Sequence, residues 1–303
     1  MTFATRLNAA VVRKRSMTCV GLDPRRDSLP AGIRDAVASN TPDEWAAAYT
    51  TFCCGVIDVV ADLVPCVKPQ VAFFEQLGPA GSISLGQVIE HASRAGLQVI
   101  IDAKRNDIGS TAEAYADAYL GSHRAVADHR SVWGGDALTV SPYLGGDSLQ
   151  PFVDVCDRRA AGIFVLVKTS NPGGGDFQDR LIGDRPLYGH VADMITTFNQ
   201  SRRDSDGYGP VGAVVGATYP EQLMTLRATL PSSILLVPGF GAQGGSADDV
   251  KAARDDNGVG AIVNSSRHII FAHTRPEYAS KYGDDRWQDA VRAATLEMNA
   301  QLE

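Results

Sequence analysis

The chain has 303 residues, a net charge of −7 and 44% hydrophobic residues. That is ample material for a core in one large or two ordinary domains, and without a long basic run the acidic balance argues against nucleic-acid binding. Five cysteines, Cys19, Cys53, Cys54, Cys66 and Cys156, include no CxxC pair, which excludes a disulfide frame or zinc knot and points to buried thiols in a reducing compartment.

In chain order, "MTFATRLNAAVVRKRSM" lacks a continuous apolar core and places Arg13, Lys14 and Arg15 late. It predicts a helix and not a signal peptide. No apolar stretch approaches the ~20 residues needed to span a bilayer, so a cytoplasmic protein without membrane association is expected. Eight apolar runs then follow: "TCVGLDP", "PCVKPQ", "QVIIDAKR", "ALTVSPY", "GIFVLVKTSN", "VGAVVGAT", "ILLVPGFG" and "GAIVNSSR". Helix-like segments such as "PDEWAAAYTTFCCGVIDVVADL", "LGQVIEHASRAG" and "STAEAYADAYLG" lie between them. Strands alternating with helices imply a parallel sheet covered on both faces. Eight repeats predict a single (β/α)8 barrel over residues 1–303, with an N-terminal helical extension; a doubly wound open sheet is the rival. "NQSRRDSDGYGP" reads as a long connection within the pattern, not a linker.

Each apolar run carries polar residues at its C-terminal end: Asp23, Lys68, Asp102 with Lys104, Ser141, Lys168 to Asn171, Thr218, Gln243, and Asn264 to Arg267. In a parallel barrel these ends meet on the face where such enzymes place their sites. Side chains alternate along a strand, so Asp102 and Lys104 share a face. Ser110 and Glu113 match a capping box that would start a helix near Thr111. Asp107 then lies in the short loop before it, on the same face. With Lys68 these residues predict an acid–lysine array in which each charge favours its neighbour's charged form. A structural ion-pair network at the rim is the alternative.

"PGFGAQGG" contains G-x-G-x-x-G at Gly239, Gly241 and Gly244. Asn264 and Arg267 stand where a dinucleotide site would place an acid, which suits a phosphate better. "VKTSNPGGGDF" offers Ser170 and Asn171, and Gly173 to Gly175 predict a mobile loop able to close over a ligand. Lys168 is expected to face the helices and extend its ammonium to water. His91, His123, His129, His190, His268 and His273 have no metal-ligand spacing, and adjacent Cys53 and Cys54 read as packing residues.

The run D-A-K-R-N-D-I-G-S-T, with Asp102, Lys104 and Asp107 as D-x-K-x-x-D, resembles the orotidine 5′-phosphate decarboxylase family in its longer bacterial form. "CVGLDPR", "VKPQVAFFEQLG", "VKTSNPG", "PGFGAQGG" and "NSSR" follow the same resemblance in order. It implies a dimeric (β/α)8 barrel that converts orotidine 5′-phosphate to UMP and CO2 without metal or organic cofactor. By motif it implies that Lys68, Asp102, Lys104 and Asp107 form the catalytic array, with Lys104 the proton donor. Asp107 and Thr111 would complete the neighbouring subunit's site. Asp23 and Lys68 would hold ribose hydroxyls, Ser170 the pyrimidine, and Gln243 and Arg267 the phosphate. Asn171, Gly241, Gly244 and Ser266 join the substrate-binding candidates. No role is assigned to Ser141, Tyr143, Lys168 or Thr218. A Mg²⁺-dependent phosphosugar lyase on the same barrel is the nearest alternative; it needs a further carboxylate, for which Glu75 is the candidate. A non-catalytic nucleotide-phosphate binding protein is the other.

Overall fold

A computed structural model describes residues 1–218, 220–239 and 250–303. Each of the eight apolar runs forms a strand: β1 Thr18–Leu22, β2 Cys66–Pro69, β3 Gln98–Arg105, β4 Ala137–Val140, β5 Gly162–Lys168, β6 Val211–Val215, β7 Leu235–Pro238 and β8 Ala261–Ser265. The strands pair in parallel in chain order, and β1 closes the sheet by pairing with both β2 (Cys19↔Cys66) and β8 (Thr18↔Val263). A closed barrel results, which overturns the open-sheet rival. β1 and β6 are buried along their whole length, because side chains on one face fill the barrel and those on the other meet helices.

The covering helices include α1 Phe3–Lys14, α2 Pro42–Val60, α3 Gly78–Arg94, α4 Gly109–Tyr119, α5 Gly146–Arg159, α6 Leu187–Asn199, α7 Pro220–Thr229 and α8 Trp287–Leu302. A proline at its first position and a Thr41–Glu44 capping box start α2. Cys53 is fully buried within it, as the packing reading expects, whereas Cys54 is only half-buried. α4 departs from expectation. It begins at Gly109, two residues before Thr111, and no side chain caps it. Ser110 already lies in the first turn, where its helical backbone cannot act as a cap.

α1 lies across the N-terminal ends of the strands. Thr2 caps it by accepting from the Thr5 amide. Asp204, in the long connection after α6, accepts from the hydroxyls of Thr2 and Thr5 at 2.5 and 2.6 Å. Phe3 meets Phe164 edge-on at 6.0 Å between centroids. Gly162 makes room for it, since a Cβ there would sit 2.3 Å from the Phe3 ring. Burial of an aromatic of this size contributes about 1.5–3 kcal/mol. One apolar cluster runs from Phe3 through the barrel to Leu302. The opposite end, where the strands finish, is left to the polar residues.

Candidate active site

Asp102 is the centre of the strand-end cluster. Its side chain is 8% exposed, and its two oxygens accept from donors on three strand ends. Oδ2 takes the Lys68 ammonium and, at 3.0 Å, the Gln70 amide. Oδ1 takes the Lys104 ammonium at 2.5 Å and the Thr139 hydroxyl at 2.9 Å. Burial alone would raise the Asp102 pKa; the ammonium groups of Lys68 and Lys104 outweigh it and hold the carboxyl below the usual carboxylate range. Burial likewise pushes Lys68 down, but Asp102 and Asp23 more than offset this and leave its pKa above the usual lysine value. The two lysines differ in access. The Lys68 side chain is 7% exposed and that of Lys104 47%, so Lys104 is the more accessible of the two.

Alternation placed Asp102 and Lys104 together, but the chain reaches that outcome through a bulge. β3 pairs with β4 at Ile101↔Leu138 and resumes only at Arg105↔Val140. Within the gap, Lys104 has φ +49°, a left-handed conformation that costs a non-glycine residue about 1–3 kcal/mol and tends to mark functional sites.

One cleft opens on this cluster and a second adjoins it. One, about 250 Å³, is lined by Lys68, Asp102, Lys104, Thr139, Ser170 and Asn171, with Leu166, Val214 and Leu236 as its apolar side. The other, about 200 Å³, is lined by Asp23, Arg25, Gly239, Asn264, Ser266 and Arg267. Ser170 and Pro238 line both and join them. Asp23 Oδ1 and Asn264 Oδ1 are buried acceptors without a partner among the described residues; each costs about 1–3 kcal/mol until a donor reaches it. Hydroxyl donors of a bound molecule would suit them. Gly21 lets β1 and β8 approach at this point: a Cβ there would lie 1.9 Å from Ser266 Oγ and 3.2 Å from Asn264 Oδ1.

The structure thus brings together Asp23, Lys68, Asp102, Lys104, Ser170, Asn171, Ser266 and Arg267. Asp107 is a correction: within the chain it does not join the array. β3 ends at Arg105, and in the loop before α4 the Asp107 carboxylate accepts from the Ile108 amide at 2.8 Å. Thr111 is exposed on α4. Lys168 is a second correction. It does not extend to water; it is buried, donates to Asp179 at 2.6 Å and lies 5.9 Å from the centre of the Tyr188 ring. The carboxylate on the following segment makes that burial tolerable. Gly173 to Gly175 belong to a 3₁₀ turn, Pro172–Asp176, in which Gly174 is buried. Gln243, Gly241 and Gly244 lie outside the described residues. Glu75, the carboxylate a metal-dependent rival would need, is engaged by Arg105 at 2.5 Å.

Gln70 and Thr139 were missed from the sequence. Gln70 stands two residues beyond Lys68 and therefore on the same face, a signal that alternation offered. Thr139 is the one polar residue inside "ALTV", a position easily read as packing.

The model of the orotidine 5′-phosphate decarboxylase / HUMPS family matches residues 16–282. An orotidine 5′-phosphate decarboxylase of Rhodopirellula baltica is 69% identical over 100% of this chain and 99% of its own. One of Roseiflexus castenholzii is 42% identical over 97% of this chain and 98% of its own. The solved structure of Leishmania donovani OMP decarboxylase superposes with a TM-score of 0.75 at 34% identity, covering 100% of this chain and 97% of that one. With a closed (β/α)8 barrel, a Lys68–Asp102–Lys104 cluster at its strand ends and relatives matched over their full length, the chain belongs to the orotidine 5′-phosphate decarboxylase family.

Proposed function

We propose that the Lys68–Asp102–Lys104 cluster carries the reaction of this enzyme, the decarboxylation of orotidine 5′-phosphate to UMP and CO2 that completes de novo pyrimidine nucleotide synthesis. The observation that carries this reading is an exposed ammonium, Lys104, held at 2.5 Å by a buried carboxylate at the mouth of a cleft. When the bond from C6 to the carboxyl carbon breaks, its electron pair stays on C6 and CO2 departs. Lys104 stabilises that developing charge and then gives C6 its proton, combining electrostatic stabilisation with general-acid catalysis. Asp102 positions the ammonium, and Lys68 neutralises Asp102 from behind.

The adjoining cleft would take the ribose phosphate. Asp23 and Lys68 would hold ribose hydroxyls and Ser170 the pyrimidine, with Asn171 a further substrate-binding residue. Ser266 and Arg267, with Gln243, Gly241 and Gly244, take the phosphate. Arg267 suits this as a fork of donors at the cleft edge. Asp107 and Thr111 would complete a neighbouring subunit's site in a homodimer; the exposed Ile108 (59%), Tyr143 (79%) and Leu144 (44%) after the adjacent strands β3 and β4 support such an interface. Five free cysteines fit a cytoplasmic setting.

The test follows orotidine 5′-phosphate by ultraviolet absorbance in excess EDTA. Rapid conversion to UMP is expected, and Lys104→Ala is expected to lower kcat by about 10²–10⁴-fold as a lost general acid does. Arg267→Ala should chiefly raise KM. Comparable kcat losses in the two variants would count against these roles. An unchanged spectrum from folded, UMP-binding protein would favour a binding protein, and turnover of a phosphosugar that EDTA abolishes would favour the Mg²⁺-dependent lyase.

A further inference from the structure

We infer that Thr139 is a positioning residue for the reaction, setting where the Lys104 ammonium stands by tying the Lys104 backbone to the Asp102 carboxylate. The inference rests on the role proposed for Lys104.

Between Ile101↔Leu138 and Arg105↔Val140, β3 spends three residues, Asp102 to Lys104, where β4 spends one, Thr139. Extra residues in a bulge lose their places in the backbone ladder, and a buried amide without an acceptor is costly. Here the Thr139 side chain replaces the missing ladder contact: Lys104 N donates to Thr139 Oγ1 at 3.0 Å. The same oxygen is 2.9 Å from Asp102 Oδ1. The proton assignments follow from chemistry. An amide can only donate and a carboxylate can only accept, so the hydroxyl accepts from Lys104 and gives its own proton to Asp102, as a hydroxyl with one proton and two lone pairs allows.

Thr139 is 1% exposed on a barrel strand, so this bridge is rigidly mounted. It fixes two points at once: the left-handed backbone from which the Lys104 side chain departs, and the carboxylate oxygen that receives its ammonium. Lys68 and Gln70 hold only the other oxygen, Oδ2. On Oδ1, Thr139 is the donor that stands beside the Lys104 ammonium.

The experiment compares Thr139→Val and Thr139→Ser with wild type in kcat and KM for orotidine 5′-phosphate, with urea unfolding as a check on folding. Thr139→Val keeps the shape and removes the oxygen. It is expected to lower kcat about 10–100-fold, the scale of an ångström-sized misplacement of a reacting group, while KM changes little. Thr139→Ser keeps the hydroxyl and should recover most of the rate. If Thr139→Val does not fold, Thr139→Ala against Thr139→Ser makes the same comparison. Wild-type kcat in Thr139→Val overturns the inference. Equal losses in the hydroxyl-bearing and hydroxyl-free variants also overturn it, since packing alone would then matter, as does a rise in KM without a fall in kcat. Lys104→Ala separates the two levels: if it keeps wild-type kcat the proton-donor reading fails, whereas a dead Lys104→Ala beside an unimpaired Thr139→Val sinks only the role of Thr139.

Discussion

Asp102 is a buried carboxylate kept charged by the groups around it. Taken out of water alone it would protonate, but Lys68 and Lys104 supply two positive neighbours and Gln70 and Thr139 two further donors. Its lowered pKa has a definite consequence for stability. A carboxyl whose folded pKa lies below the unfolded value of about 3.9 stabilises the protein fully above that value. The contribution is lost as pH falls through the folded pKa, because the unfolded chain takes up the proton first. Lys68 mirrors this at the alkaline end: with its pKa raised, its contribution is present below about 10.4 and lost as pH rises through the folded value. Asp102→Asn leaves Lys68 buried without its counter-ion. At neutral pH the expected loss is about 3–5 kcal/mol, the scale for breaking a buried pair. The gap to wild type should narrow below about pH 4, where the wild-type carboxyl begins to lose its advantage. Urea midpoints measured from neutral to acid pH check this; a gap independent of pH would contradict it.

Among the elements, α1 is joined to the barrel by charge as well as by Phe3. Asp136, fully buried at the start of β4, accepts from Arg6 of α1 at 3.1 Å, from Arg124 at 3.5 Å and from the Val99 amide at 2.9 Å. One side chain thus ties together α1, the connection before β4, and β3. Asp136→Ala is expected to cost about 1–3 kcal/mol, the scale of a buried donor left without its acceptor. Because this knot sits at the end of the barrel away from the clefts, kcat and KM should stay near wild type. Thermal unfolding together with steady-state kinetics checks both halves, and a large loss of kcat with intact stability would refute the division of labour. At the other end, Lys168 and Asp179 bind the end of β5 to the segment leading into α6, while Thr169 N donates to Gln178 Oε1 at 2.9 Å. Ser170 and Asn171 stand on backbone anchored by those contacts.

At the scale of the whole molecule, we propose that residues 1–303 act as one unit, since the apolar cluster is continuous from α1 to α8. Within one chain the lysines cluster on Asp102, while Asp107 accepts from the Ile108 amide. If Asp107 serves a symmetric partner, two defective chains can repair each other. Lys104→Ala and Asp107→Ala protein, each impaired alone, should regain roughly a quarter of wild-type activity when refolded together, because half of randomly formed dimers carry one intact site out of two. Activity that stays at the mean of the separate variants would argue that Asp107 acts within its own chain.

The barrel, and the strand ends at which polar residues gather, could be read directly from the amino-acid pattern. Strand pattern is local: a continuous apolar run marks a strand buried on both faces, and the polar residue that follows it marks the C-terminal end. The pairing of Asp102 with Lys104 was legible for the same reason, since the two are close in sequence. Only the tertiary structure decided what each polar group meets. Thr139 and Gln70 reach Asp102 across 37 and 32 residues of chain, and their use depends on which strands lie side by side. The bulge at Lys104 and the burial of Lys168 against Asp179 depend on neighbouring strands and loops in the same way. Periodicity states the face on which a side chain lies; the backbone ladder and the partner across the strand decide what it does there.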